Sequence, residues 1–347
     1  MLSPQFQGRS TVRWGIIGCG DVTEVKSGPG FRHARGSQLV AVMRRNGALA
    51  ADYAKRHGVP RWYDDAGALL ADPEVDAVYV ATPPDTHCHY ALLAAAAGKP
   101  AYVEKPMARH TPECDRMIEA FACAGQKLFV AYYRRSLPRW QRVLEGVESG
   151  ELGRLTGVTY RLALPKHREP PAWRTRVEQA GAGHFLDLAS HVLDLVDFLA
   201  GPLTSVQGLA ANVASAYAAE DTVACSFAAG GVPGVLSCNF AAISREDLLV
   251  LTGTKGEVRT PVLDNDQPVL FETAEGLQRW DFPPPPHLAQ PLIQACVDDL
   301  LGRDTCPSTG ESARRTSQVM DAVLDAYYGG RQDEFWLRPG TWPGRRP

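Results

Sequence analysis

Three groups of residues in this sequence carry side chains able to do chemistry. In GHFLDLASHVLDLVDFLAG, residues 183–201, Asp187 and His191 stand four positions apart. The apolar residues around them, Leu186, Val192, Leu193, Leu195, Val196 and Leu199, recur at helical intervals and predict a helix over 185–199. Side chains at i and i+4 share a helix face, so the carboxylate and the imidazole can touch. An imidazole with an ordinary pKa of about 6.5 takes or gives a proton near neutral pH, and a neighbouring carboxylate orients the ring. Asp194, three residues beyond His191, is a second partner for it. On its own, His191 reads more often as a hydrogen-bonded core histidine than as a catalyst. Lys105, in AYVEKPMA, directly follows a strand-like run. There its ammonium can hold a substrate oxygen and stabilise negative charge on it.

The third group is GCGDVT, residues 18–23, which follows the apolar run VRWGII. Gly18 permits a tight turn and Gly20 lets the backbone approach a pyrophosphate, with Cys19, Asp21 and Val22 completing the loop. Thr23 stands where a third glycine would pack helix on strand, so its cost is packing room rather than a phosphate contact. Ser27-Gly28-Pro29-Gly30 then ends the first helix early and is expected to bring Lys26 or the residues after it to the rim of the site. The second apolar run ends in Met43-Arg44-Arg45-Asn46. An acid there would accept from the ribose hydroxyls of NAD, whereas Arg44 and Arg45 can clamp a 2′-phosphate, so NADP is favoured and NAD remains open.

These groups need elements to hold them. From residue 12 to about 130, the runs RWGIIG, QLVAVM, AVYVAT, PAYVEK and KLFVAY alternate with helical patterns at 48–57, 86–97 and 111–124. Near-continuous apolar strands separated by helices predict a doubly wound parallel sheet, whose ligands bind outside the carboxyl ends of the strands. Beyond a helical pattern at 140–148 the rhythm changes to LTGVTYRLAL, TSVQGLAANV, DTVACSFAAG, GVLSCNFAA and DLLVLTGTKGEVRT. Strands joined by Gly-rich turns predict a large, mostly antiparallel sheet in an α+β domain. The PPPP run at 283–286 is an extended connector to a helix near 289, and a further helix spans 311–328. We expect a dinucleotide-binding domain over 10–131 and a substrate-binding domain over 132–330.

Composition narrows the partners. The 347 residues carry a net charge of −3, which disfavours a nucleic-acid partner. No apolar run approaches the roughly 20 residues of a membrane span, and the stretch ahead of residue 13 has neither a signal-like apolar core nor the look of more than a frayed tail, so a cytoplasmic location is expected. The 8 cysteines are scattered without a CxxC pair, which fits reduced thiols. The adjacent residues His87-Cys88-His89 diverge in either regular structure, so no metal site is expected.

Taken together, ATPPDTH, AYVEKPMA and GHFLDLASHVLDLVDFLAG, in that order and spacing, resemble the glucose-fructose oxidoreductase / inositol dehydrogenase / rhizopine catabolism (Gfo/Idh/MocA) family over nearly the whole chain. The resemblance implies a Rossmann domain followed by an open-sheet domain used to assemble a homodimer or homotetramer. It implies NAD(P)-dependent oxidation or reduction of a small-molecule sugar, polyol or cyclitol at a secondary alcohol or carbonyl. By the motifs, Lys105, Asp187 and His191 are the catalytic set, while Thr82, Pro83, His87 and Glu104 join the cofactor site. Trp173 and Arg174, in PAWRTR, resemble a segment that meets the substrate. Where the family often shows a tyrosine-asparagine pair that makes a local substrate or ribose contact, this chain departs and reads Tyr132-Tyr133-Arg134-Arg135; the resemblance puts Tyr133 at that substrate position. Relatives of two other kinds supply alternatives: a cofactor-binding sensor or co-regulator without catalysis, and an NAD-dependent glycosidase.

Overall fold

A computed structural model describes residues 6–165 and 172–345. The chain forms two compact units. One comprises the chain up to Ala108, Glu113–Leu137 and Pro285–Ala313, the other Arg109–Pro112, Pro138–Pro284 and the chain from Arg314 on.

In the first unit, strands β1 (Val12–Ile17), β2 (Ser37–Met43), β3 (Arg61–Tyr63), β4 (Ala77–Val80), β5 (Ala101–Val103) and β6 (Leu128–Val130) form a sheet in the order β3-β2-β1-β4-β5-β6. Every pairing is parallel. Strands β4, β5 and β6 are buried at every residue, as a sheet covered on both faces requires. The covering helices are α1 (Asp21–Val25), α2 (Gly28–His33), α3 (Gly47–His57), α4 (Ala66–Ala71), α5 (His87–Ala96) and α6 (Thr111–Cys123). The edge strand β3 and helix α4 escaped the sequence pattern because each is short, and β3 buries no residue fully.

The first helix does break where the sequence predicted. Thr23 is fully buried and its hydroxyl donates to the Gly20 carbonyl, while its own carbonyl accepts from Tyr53 OH at 2.8 Å. A Cβ on Gly28 would fall 2.1 Å from that carbonyl, and Pro29 opens α2. The kink is therefore packed into the core rather than frayed.

The second unit holds α7 (Pro138–Glu148), β7 (Leu155–Pro165), α8 (Val177–Ala180), α9 (Ser190–Ala200), β8 (Leu203–Ala211), β9 (Thr222–Ala229), β10 (Val232–Ala242), β11 (Glu246–Gly253), β12 (Gly256–Thr260), β13 (Val269–Thr273) and β14 (Gly276–Trp280). Its strands form one sheet, β14-β13-β12-β11-β7-β10-β9-β8, antiparallel except for β7 with β10. Here burial alternates: Val223, Cys225 and Phe227 on β9 and Leu236, Cys238 and Phe240 on β10 point inward, and their neighbours outward. One covered face and one open face is the pattern an antiparallel sheet permits. Helix α9 lies against β8 and β9. The single run DLLVLTGTKGEVRT divides into the hairpin β11–β12; β13 buries Val269 and Phe271 in alternation, and the exposed edge strand β14 exists by pairing with β13 rather than by apolar pattern. Helix α10 (Gln290–Leu300) belongs to the first unit, and α11 (Gly310–Tyr328) starts there and runs into the second. The four prolines at 283–286 carry no regular element.

Candidate active site

The carboxyl ends of the parallel strands carry expected cofactor residues, Gly18 after β1, Arg44 after β2, Thr82 after β4 and Lys105 after β5, and Tyr133, expected at the substrate, after β6. Gly18 has φ +92°, and a Cβ on it would lie 2.6 Å from Thr82 Cγ2, so only glycine makes this turn. Its N–H and that of Cys19 donate to the Met43 carbonyl at 2.9 and 3.1 Å, which ties the loop to β2. Over Gly20 the space is open, with no atom nearer a Cβ than 3.9 Å. On the residue that packs against Gly18, the enclosed Thr82 hydroxyl has no hydrogen-bond partner. An open cradle over glycine and an orphaned hydroxyl at its wall fit a dinucleotide, which would satisfy one and fill the other.

Not every expected contact faces outward. Cys19 is fully buried and burial pushes its thiol up to about 11, so only its backbone serves the loop. His87 is fully enclosed, with Nδ1 3.0 Å from the Pro106 carbonyl and Nε2 2.7 Å from the Thr82 carbonyl. Burial holds its pKa below the ordinary value although the carbonyls pull the other way. A neutral imidazole has one N–H and donates to one carbonyl at a time, so His87 holds the Thr82 and Pro106 loops together from behind. Asp21, Arg44 and Arg45 are exposed and Val22 half-buried; Arg44 Nη1 reaches back to the Cys19 carbonyl at 3.5 Å. Pro83 precedes a single turn of 3-10 helix.

Lys105 and Pro106 are joined by a cis peptide bond. Glu104 accepts from the Lys105 N–H at 3.2 Å and from Tyr79 OH at 2.5 Å, and Tyr79 OH also lies 3.1 Å from Ser27 Oγ. Burial and the Glu104 charge drive the Tyr79 phenol well above its ordinary pKa, so it stays a donor. Tyr79 was not among the residues expected at the site. Its signal was there: a tyrosine inside a strand buried on both faces needs a partner for its hydroxyl.

In the second unit, the expected helix over 185–199 comes as two pieces. Phe185–Ala189 is a π-helical turn, and regular α9 starts at Ser190. Asp187 lies in that turn and His191 on the first turn of α9, 4% exposed, with Asp194 at 1%. Wide turns of this kind interrupt helices frequently at functional sites. Arg174 Nε donates to Asp187 Oδ2 at 3.1 Å, and the Arg174 guanidinium stacks 4.4 Å over the Trp173 ring. The structure thus joins a residue expected to meet substrate with one expected to orient the base.

The approach to this turn is clamped. Gly181 has φ +85°, and a Cβ there would lie 2.8 Å from the Arg109 backbone. Its carbonyl accepts from the fully buried Arg331, which also donates to the Arg109 carbonyl and to Asp321 Oδ1. The Gly183 N–H donates to Glu220, which Tyr328 OH also reaches. Glu220 is fully buried, and desolvation raises its pKa despite these donors. Neither Glu220 nor Arg331 bears a sequence signal, because each acts through partners remote in the chain. Among the described residues no group of three His, Cys, Asp or Glu side chains is arranged for a metal ion, and no helix is long and apolar enough to cross a membrane.

Residues 12–132 match the model of the oxidoreductase family with an NAD-binding Rossmann fold, and residues 140–259 match the Gfo/Idh/MocA C-terminal domain. Oxidoreductase P35 of Formosa agariphila is 33% identical over 324 residues, 90% of this chain and 98% of that protein. Among solved structures, levoglucosan dehydrogenase in complex with NADH and levoglucosan superposes with a TM-score of 0.82 at 21% identity, covering 91% of this chain and 96% of that one. The aldose-aldose oxidoreductase of Caulobacter crescentus, complexed with glycerol, gives a TM-score of 0.83 at 23% identity over 92% of this chain and 98% of that one. These two likenesses speak to the fold alone. The two family models and the full-length relative establish more: this chain belongs to the Gfo/Idh/MocA family of NAD(P)-dependent oxidoreductases.

Proposed function

We propose that the protein is an NADP-preferring dehydrogenase or reductase acting on a secondary alcohol or carbonyl of a sugar, polyol or cyclitol. The observation that carries this reading is the convergence of the open Gly20 cradle, the orphaned Thr82 hydroxyl and Lys105 on one edge of the parallel sheet. Gly18, Thr82 and the Gly20–Val22 backbone hold the dinucleotide, and Arg44 with Arg45 takes the 2′-phosphate, since no acid ends β2. When bound, the nicotinamide accepts or supplies a hydride. Lys105 holds the substrate oxygen and stabilises the negative charge that grows on it, with Glu104 and Tyr79 steadying the lysine's backbone. His191 takes the hydroxyl proton in oxidation and returns it in reduction, and Asp187, itself anchored by Arg174, orients the ring.

The enzyme works as a homodimer or homotetramer in the cytoplasm, through the open face of the eight-stranded sheet, where Leu209 and Val235 are 72% and 51% exposed. Eight free cysteines support a reducing compartment. Fluorescence titration with NADPH and NADH, followed by a sugar and polyol panel with the preferred cofactor, tests the reading. Tight cofactor binding without turnover of any panel member would return the protein to a sensing role.

A further inference from the structure

The break in the first helix turns one hydroxyl into the core. Helix α1 ends at Val25 and α2 starts at Gly28, and between them Lys26 sends its ammonium toward the Tyr133 ring, 4.5 Å from the centroid, while Ser27 faces inward at 1% exposure. Ser27 Oγ lies 3.1 Å from the Val22 carbonyl and 3.1 Å from Tyr79 OH. The Val22 carbonyl already accepts two backbone N–H groups, those of Lys26 and Ser27, which occupy both lone pairs of its oxygen. The Ser27 proton therefore goes to Tyr79. Tyr79 has one proton of its own and gives it to Glu104 Oε1 at 2.5 Å, while Glu104 Oε2 accepts from the Lys105 N–H at 3.2 Å.

We infer that Ser27 and Tyr79 are positioning residues that tie the loop receiving the dinucleotide to the peptide carrying Lys105, so that filling the loop orders the lysine. The inference rests on the dinucleotide reading of the loop at 18–22. The row of bonds crosses three neighbouring strand ends, from the loop after β1, through β4, to the segment after β5. A hydroxyl that accepts a hydrogen bond donates more strongly, so Ser27 and Tyr79 polarise in one direction, toward the carboxylate. Tyr79 is fully buried and Ser27 nearly so, and water does not replace a partner lost there. Tyr79→Phe consequently cuts the loop from the lysine, and Ser27→Ala leaves the phenol with no donor behind it.

Hydrogen–deuterium exchange of the 101–108 segment, read by mass spectrometry with and without 2′-phospho-ADP-ribose or ADP-ribose, tests the link. These probes fill the glycine loop and carry no nicotinamide, so protection at Lys105 has to travel through the protein. In wild type the bound probe should slow exchange of the segment by about tenfold; the slowing should vanish in Tyr79→Phe and shrink in Ser27→Ala, with probe affinity within about threefold. Ser27→Ala carries the same test should Tyr79→Phe not fold. In turnover, Tyr79→Phe should lower kcat about tenfold or more with KM within about threefold, and the double variant should lose no more than Tyr79→Phe alone. Protection retained in Tyr79→Phe, no protection in wild type with a probe bound, or losses in kcat that multiply would overturn the link and leave the dehydrogenase standing. Failure of both probes to bind refutes the dinucleotide reading itself, and the link with it.

Discussion

Arg174 Nε donates to Asp187 Oδ2 at 3.1 Å across the π-helical turn that precedes His191. The Arg174 side chain is 36% exposed, so the pair adds only about 0–1 kcal/mol to stability. Arg174→Ala and Asp187→Asn should therefore melt within a few degrees of wild type while losing turnover. Because the two side chains touch, the double variant should lose less than the product of the single losses. Strict multiplicativity in kcat/KM would show that Arg174 does not act through Asp187.

His191→Ala is expected to cut turnover about 10²- to 10⁴-fold, the value of acid–base assistance, with NADPH affinity close to normal. Unchanged turnover would return His191 to the role of a core histidine, with which its 4% exposure is equally compatible.

Arg44 is exposed at the end of β2, where no acid competes with a 2′-phosphate. Fluorescence titration should show NADPH bound more tightly than NADH, and Arg44→Ala should weaken NADPH by about tenfold or more with little change for NADH. Tighter binding of NADH to wild type would reverse the assignment.

Glu220 has a raised pKa because it is fully desolvated, so the stability it contributes is present below the ordinary carboxylate value of 4.5 and is lost as pH rises through the raised one. Glu220→Gln keeps a neutral group that still accepts from the Gly183 N–H. Relative to wild type, its melting temperature should rise between pH 4.5 and pH 7.5. A constant difference across that window would show that Glu220 is not the titrating group. Arg331→Met, by contrast, strands the Asp321 carboxylate and should cost about 3–5 kcal/mol in denaturant unfolding.

Replacing Leu209 and Val235 by Glu on the open sheet face should shift the protein to monomer in light scattering, without unfolding it, since both side chains are exposed on the single chain. An unchanged mass would move the interface elsewhere.

Periodicity along the chain announced the parallel sheet, because β4, β5 and β6 are covered on both faces and so are apolar throughout. It announced the second sheet for the opposite reason, the strict alternation of β9 and β10. Residue type and position singled out Gly18, Arg44 and Lys105 as following strands, and the structure places each directly after one, Gly18 after β1, Arg44 after β2 and Lys105 after β5; the phosphate and charge roles given them are for the titrations and variants above to decide. Strands β3, β13 and β14 were illegible, being short or polar and held by neighbours supplied from elsewhere in the chain. Only the folded chain could decide that Asp187 is held by Arg174, that Glu220 and Arg331 clamp the glycines before the π-helical turn, that His87 is turned inward, and that Lys26 rests on Tyr133. A local pattern records which face of an element is buried, whereas these pairings depend on which distant surfaces that burial presses together.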